Sequence, residues 1–175
     1  MTQACFDTST TATHRVASAL EGAASPTAQH VFTQLYADSA RATTQQRDAE
    51  AQAGRSLGAL HGVCITLKDN IDVACETTMA GGVVCAGEAP ALHDAPVVQR
   101  LRDAGAVVLG KTNMSEFAFS GVGINPHHGT PANPADATHV RVPGGSSSGA
   151  AVSVALGLAE VGIGTDTGGS IRIPA

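Results

Sequence analysis

The sequence is poor in aromatic residues. It has no tryptophan, one tyrosine and four phenylalanines among 175 residues. Too few rings are present for base stacking or for the aromatic belt of a membrane protein. The ten basic residues are scattered and the net charge is −5, so no surface is predicted that would bind nucleic-acid phosphates. We therefore expect no direct contact with nucleic acid.

Long apolar runs are also missing. No stretch approaches the roughly 20 apolar residues that a membrane-spanning helix needs, and the first thirty residues contain no apolar core of a signal peptide. We therefore expect a cytoplasmic protein with no membrane contact.

The four cysteines follow no metal-binding pattern. Cys5, Cys64, Cys75 and Cys85 form neither a CxxC pair nor a Cys/His cluster, and a chain of this size does not need disulfides to fold. We expect reduced thiols, no metal site and no cofactor.

The first 56 residues are predicted to form a helical segment. We expect a loosely held start with one short helix near residues 15–20. Ser25 and Pro26 are typical of a helix N-terminus, which predicts a long helix that continues to about Ala53.

Residues 57–175 have the texture of an α/β protein, with short apolar runs separated by Gly, Asp and Asn. The predicted strands are 63–67, 106–109 and 159–164, the predicted helices are 96–104, 114–119 and 148–157, and a long loop covers 120–145. A loop of that length inside a domain is usually functional. Because the chain stops directly after a glycine-rich motif, we expect it to be part of a longer one.

Lys68 follows an apolar strand and is one of only two lysines, so it is not part of a solvated charge run. One interpretation is a strand-end lysine paired with the adjacent Asp69. The other is a buried lysine whose pKa is lowered by loss of hydration, so that it can act as a neutral base.

Two glycine- and serine-containing segments follow. Residues 143–151 read PGGSSSGAA, which could be a flexible linker, but the apolar stretch after it favours serines at the N-terminus of a packed helix. Residues 164–175 place Gly168 and Gly169 before Ser170, where backbone N–H groups could turn toward one point. An ordinary turn is the alternative.

The string from Gly145 to Gly149 also satisfies GxSxG, the nucleophile elbow of α/β-hydrolase esterases, with Ser147 as nucleophile. An elbow needs a strand that runs directly into it, whereas Pro143 interrupts any strand before this segment. No histidine follows Ser147 within the chain, so this interpretation is disfavoured.

Taken together, the three segments resemble the amidase signature family. The lysine segment is GALHGV followed by LKDN at 58–70, the segment after it is AGAVVLGKTNMSEF at 104–117, and the signature itself matches 143–149 and 164–175. The resemblance covers 57–175 and implies the N-terminal part of a catalytic core, a three-layer α/β/α fold around a mixed sheet.

The resemblance implies a role for each motif position. Lys68 is the base, Ser146 relays the proton and follows a cis peptide bond from Gly145, and Ser170 attacks the amide carbonyl. The backbone N–H groups that would hold the oxyanion are those of Thr167, Gly168, Gly169 and Ser170. The seven histidines, His127 and His128 among them, are interpreted as loop or surface residues.

The expected activity is hydrolysis of a small carboxylic amide through an acyl-serine, with no cofactor and no metal. The main alternative is the A subunit of a tRNA-dependent amidotransferase, which releases ammonia from glutamine for a partner subunit. The residues of the 120–145 loop resemble those of general amidases more closely, which favours a general amidase. A non-catalytic remnant and a homodimer also stay open.

Overall fold

The computed structural model describes residues 10–175, and Cys5 lies outside them. Within these residues, four strands and four α-helices alternate, with single 3₁₀ turns at Pro26–Ala28, Val84–Gly87 and Glu116–Ala118. The helices are α1 (Ala12–Ala23), α2 (Ala37–Gln52), α3 (Pro96–Asp103) and α4 (Ser148–Ala155). The strands are β1 (Phe32–Leu35), β2 (Cys64–Lys68), β3 (Val107–Thr112) and β4 (Val161–Ile163).

The strands form one mixed sheet in the order β1-β3-β2-β4. β2 runs parallel to both β3 and β4, whereas β1 pairs with β3 in the antiparallel sense. A β-bulge interrupts the β2–β3 pairing, because Ile65 pairs with Val108 and Thr66 pairs with Gly110. The predicted α/β class with a central mixed sheet is confirmed.

Helices cover both faces of this sheet. On one face, Ile65 and Leu67 of β2 pack with Val98 and Leu101 of α3. On the other face, Cys64 packs with α1 and α2, and Thr66 Oγ1 lies 3.0 Å from Ser153 Oγ of α4. Because side chains of a strand alternate, Lys68 follows Cys64 and Thr66 onto the α4 face.

The long helix predicted from Ser25 to Ala53 is wrong in its first half, whereas its second half is the helix α2 (Ala37–Gln52). After the 3₁₀ turn, His30 takes a left-handed conformation (φ 66°) and the chain continues as β1 before α2 begins at Ala37. Val31 is fully buried, and the β1 backbone pairs with β3. Pairing with a sheet built from distant residues outweighs the local helical spacing of this segment.

The expected loose start is also wrong for the described part. α1 runs from Ala12 to Ala23, longer than the short helix predicted, and the Thr11 hydroxyl caps it by accepting the His14 N–H. Val16 and Leu20 of this helix are buried in the core. The division of the chain at residue 57 stays a prediction, although β1 and β2 belong to one sheet.

The C-terminal elements agree with the sequence pattern to within a few residues. β2, α3, α4 and β4 overlap the predicted segments, and β3 extends to Thr112, beyond the predicted end. The predicted short helix at 114–119 is a single 3₁₀ turn. Residues 120–145 contain no helix or strand, as predicted.

Gly149, in the first turn of α4, supports a testable prediction. A Cβ on this residue would overlap the carbonyl oxygen of Val31 and lie 2.6 Å from the backbone N of Asn113. We therefore expect Gly149→Ala to destabilise the protein by about 1–3 kcal/mol, although alanine is the better helix former. The measurement is urea unfolding.

The control for that substitution is Gly87→Ala, because a Cβ there would meet nothing within 4 Å. It should change the free energy of unfolding by less than about 0.5 kcal/mol. A stabilised Gly149→Ala variant would contradict the close approach of α4 to the backbone of Val31 and Asn113.

Candidate active site

Lys68 lies at the end of β2 with no exposed surface. Its Nζ is 2.7 Å from Oγ of Ser146, which is also fully buried. Asp69, the partner suggested by the alternative interpretation, instead accepts the Gly81 N–H and lies 3.7 Å from Lys111 Nζ. The interpretation in which Lys68 pairs with Asp69 is therefore wrong.

Thr165 supplies the other contacts of Lys68. Its Oγ1 and carbonyl oxygen lie 2.9 and 3.3 Å from Nζ, and Asn70 Nδ2 donates to the same Oγ1 at 3.1 Å. A neutral amine has two N–H bonds and one lone pair. Because the Thr165 carbonyl can only accept, and Oγ1 is positioned to accept, both N–H bonds of neutral Lys68 can be used there. The lone pair is then free to face Ser146 Oγ.

Burial changes the acidity of this lysine. Loss of hydration lowers the pKa of Lys68 from 10.5 to about 8, and the negative charge of Asp166 opposes that shift. A substantial neutral fraction is therefore present at mildly alkaline pH.

Ser146 is held by its backbone on both sides. The Gly145–Ser146 peptide bond is cis, as the family resemblance implies. The Ser146 carbonyl accepts the Ser115 N–H at 3.1 Å, and the Gly145 N–H donates to the Gly121 carbonyl at 2.8 Å. Contacts from the 115–121 segment therefore fix the hydroxyl beside Lys68.

Asn113 fixes the start of α4. Its carbonyl accepts the Gly149 N–H at 2.9 Å and the Ser148 hydroxyl at 3.2 Å. Its side-chain amide donates to the carbonyls of His30 and Gly129. Asn113 was not singled out from the sequence, in which it lies four residues after the end of the apolar run 106–109.

Ser170 lies close to the serine run but is not hydrogen-bonded to Ser146. Its carbonyl accepts the Ser147 N–H at 3.1 Å, and its hydroxyl makes no hydrogen bond within residues 10–175. The residue borders a cavity of about 290 Å³ whose other lining residues include Phe119, Thr167 and Ile173. The structure thus brings Lys68 and Ser146 together and places Ser170 at an adjacent opening.

Asp166 organises the loop that carries Ser170. Its carboxylate accepts N–H groups from Gly169, Ile171 and Arg172 at 2.7, 2.9 and 3.2 Å, and the Arg172 guanidinium contacts both oxygens. The Arg172 hydrogen bonds, with those amides, hold the pKa of Asp166 well below its usual range. Sequence reasoning missed this function of Asp166.

One proposed oxyanion donor is therefore already occupied. The Gly169 N–H donates to Asp166 Oδ1. The N–H groups of Thr167, Gly168 and Ser170 make no hydrogen bond to any other part of the chain that the structure describes. The sequence could not distinguish these four amides, because the distinction depends on where the Asp166 carboxylate lies.

The nucleophile elbow suggested by GxSxG is absent. Residues 113–147 contain no strand that could run directly into Ser147. Ser147 is buried and donates a long hydrogen bond (3.4 Å) to the Thr165 carbonyl. Among residues 10–175, neither a histidine nor a carboxylate is hydrogen-bonded to it.

The histidine pair of the long loop has local contacts. His127 Nε2 lies 3.0 Å from Glu116 Oε1, and the backbone N–H groups of both histidines donate to Asn125 Oδ1. Asn125 is buried and also donates to the Gly81 and Met114 carbonyls, so it links this loop to the segment after β2.

Metal-binding clusters and membrane-spanning helices are both absent from residues 10–175. No group of three or more His, Cys, Asp and Glu side chains in this range could hold a metal ion. No helix in the same range is long and apolar enough to cross a membrane. Cys64, Cys75 and Cys85 are free thiols.

A family model described as Amidase matches residues 15–175. The chain belongs to the amidase signature family. In this family it resembles the A subunit of the glutamyl-tRNA(Gln) amidotransferase of Acidothermus cellulolyticus, with 47% identity over 85% of the chain. That alignment covers 29% of the relative's own length.

Solved amidase signature structures share the fold. A protein from a vestigial complex that reveals the origins of an s-triazine catabolic enzyme matches with a TM-score of 0.88 and 36% identity, over 94% of this chain and 36% of that one. The peptide amidase of Stenotrophomonas maltophilia matches with a TM-score of 0.83 and 42% identity, over 94% of this chain and 35% of that one. The chain thus spans about a third of the length of the relatives that it matches.

The contacts of Thr165 lead to a prediction about Lys68. Thr165→Val removes a hydrogen-bond acceptor from the charged lysine, so it should lower the pKa of Lys68 by somewhat under one pH unit, which is about 1 kcal/mol. Titration of the ¹³Cε signal of labelled lysine measures it directly. Thr165→Ser keeps the acceptor and should leave the pKa unchanged; equal shifts in both variants would contradict the assignment.

Proposed function

We propose that this chain carries the catalytic residues of a serine amidohydrolase, which hydrolyses a small carboxylic amide to an acid and ammonia or an amine. The observation that supports this most directly is the 2.7 Å contact between buried Lys68 and buried Ser146. A buried lysine that has no carboxylate in contact with its amine can act as a base toward a neighbouring serine and so activate a nucleophile. Because the chain spans about a third of its relatives, the activity of the whole protein is part of the proposal.

The proposed reaction begins with proton transfer. The reaction requires the Ser170 hydroxyl to approach Ser146 and donate a hydrogen bond to its Oγ when substrate binds. Neutral Lys68 then takes the proton of the Ser146 hydroxyl while Ser146 takes the proton of the Ser170 hydroxyl, and Ser170 Oγ bonds to the carbonyl carbon of the amide. The C–N bond then breaks, and the proton held by Lys68 returns through Ser146 to the departing nitrogen. Water hydrolyses the acyl-serine ester by the same relay, so the atoms and charges balance.

The tetrahedral intermediate needs hydrogen-bond donors aimed at its oxyanion. We propose the N–H groups of Thr167, Gly168 and Ser170, which have no acceptor within residues 10–175. Gly169 is left out of this set because its N–H donates to Asp166 Oδ1 and so helps to fix the loop.

Labelling with a fluorophosphonate probe should place the adduct on Ser170. The measurement is peptide mass mapping of the chain, both alone and extended by the matching C-terminal two thirds of the peptide amidase. Ser170→Ala should abolish labelling and leave thermal unfolding unchanged, whereas Ser147→Ala should retain labelling. An adduct confined to Ser147 would support the esterase alternative, and no adduct in either folded form would support a non-catalytic remnant.

The rate of acylation should rise with pH with a midpoint near the Lys68 pKa of about 8, because the deprotonated amine is the competent base. Lys68→Ala should remove this limb and lower the rate by about a thousandfold. Lys68→Arg should be as damaging, since guanidinium stays protonated. Near-normal rates in Lys68→Arg, measured by probe labelling from pH 6 to 10, would show that Lys68 is only a structural cation.

A second candidate function is favoured by the curated relatives. The A subunit of the glutamyl-tRNA(Gln) amidotransferase of Acidothermus cellulolyticus is 47% identical, a higher identity than the peptide amidase has. Under this candidate the same residues release ammonia from glutamine for a partner subunit. Hydrolysis of glutamine and of a peptide amide, measured with and without the partner proteins of an amidotransferase, distinguishes the two candidates.

A cytoplasmic location and a homodimer stay predictions.

A further inference from the structure

The two lysines of the chain lie on neighbouring strands and point to opposite faces of the sheet. Leu67 of β2 pairs with Lys111 of β3, and Lys68 pairs with Thr112. Paired residues of parallel strands share a face, so Lys111 lies on the face of Leu67, which packs toward α3. Lys68 lies on the other face and reaches Ser146 at the start of α4.

The β-bulge determines the face on which Lys111 lies. Val107 and Leu109 pack toward α1, and regular alternation would place Lys111 on that same face. The extra residue between the pairs Ile65–Val108 and Thr66–Gly110 reverses the alternation of β3. Bulges commonly re-aim a side chain beside an active site.

Asp69 is the group that meets Lys111 there. The two side chains are 2% and 1% exposed, and Asp69 Oδ1 lies 3.7 Å from Lys111 Nζ. The other carboxylate oxygen accepts the Gly81 N–H at 2.9 Å, and Lys111 Nζ donates a long hydrogen bond (3.4 Å) to Thr78 Oγ1. Burial raises the pKa of Asp69 and lowers the pKa of Lys111, and the charge of each group opposes the shift of the other.

The remaining charged groups near the pair do not replace Lys111. Asp72 and Glu76 act on Lys111 with the same sign as Asp69. His128 is the other titratable group that favours the Asp69 carboxylate, and partial burial raises the pKa of Tyr36, which therefore stays protonated. On the opposite face, Asp166 is the charged group that acts on Lys68.

We propose that Lys111 is a positioning residue for the proposed reaction, because its pairing with Asp69 keeps a buried carboxylate, one residue from Lys68, from acting on that lysine. The inference rests on Lys68 being the base of the proposed function. An unbalanced negative charge at Asp69 would favour the protonated form of Lys68 and remove the base. The Asp69–Lys111 pair instead acts as a nearly neutral unit behind the strand.

The test uses the 175-residue chain labelled with ¹³Cε-lysine, which has two lysine signals, from Lys68 and Lys111. In Lys111→Met a single signal is left, from Lys68. We expect its titration midpoint to rise by about one pH unit. In Lys111→Met/Asp69→Asn, which removes both charges of the pair, the midpoint should return to the wild-type value.

Arg47→Met is the control, because it removes one cation from the Arg47–Glu50 pair of α2, and it should leave the midpoint unchanged. If Lys111→Met does not fold, Lys111→Gln repeats the test with the stem and a donor to Thr78 retained. An unchanged midpoint in the folded single variant, or a raised midpoint in the double variant, overturns the proposal.

Failure of the proposed function has a different signature. In that case Ser170 is not labelled by the fluorophosphonate probe, while the Lys68 midpoint still responds to the two substitutions. If Ser170 is labelled but the titration midpoint of Lys68 does not change in Lys111→Met, only the positioning role of Lys111 is overturned.

Discussion

The site depends on a lysine that is buried without a carboxylate partner in contact with it. A charged ammonium in the interior is unfavourable unless it is paired, so a lysine held there readily loses its proton. Within residues 10–175, the hydrogen bonds of the Lys68 amine go to oxygen atoms of Ser146 and Thr165. Those residues follow it by 78 and 97 positions, so the end of β2, the start of α4 and the loop after β4 must all converge.

The carboxylates nearest to the site are occupied elsewhere. Asp69 is paired with Lys111 behind the strand, and Asp166 is surrounded by Arg172 and three backbone N–H groups. Lys111 balances the charge of Asp69, whereas the charge of Asp166 still acts on Lys68 and partly opposes the effect of burial on its pKa. The Asp166 arrangement also shapes the loop of Ser170, so one carboxylate links the acidity of the base to the geometry of the neighbouring amides.

Two asparagines hold the irregular segments that surround these charges. Asn113 joins β3 to the start of α4, and Asn125 joins the long loop to the segment after β2. Asn125 Nδ2 also donates to Asn113 Oδ1 at 3.0 Å, so the two form one buried network. A loop without helices or strands must satisfy its buried backbone groups by such contacts, which explains why side-chain amides are buried in it.

The sequence by itself determined the α/β class, most C-terminal elements and the family. Lys68 and Ser146 could be placed in one site because the short motifs around them resemble those of the amidase signature family. The helix predicted across β1 failed because its spacing is local, whereas pairing with β3 involves residues nearly eighty positions away. Tertiary structure alone decided which amides near Ser170 have no acceptor, and the bulge that turns Lys111 toward Asp69. Those features depend on atoms brought together from separate segments, and no local pattern encodes such distances.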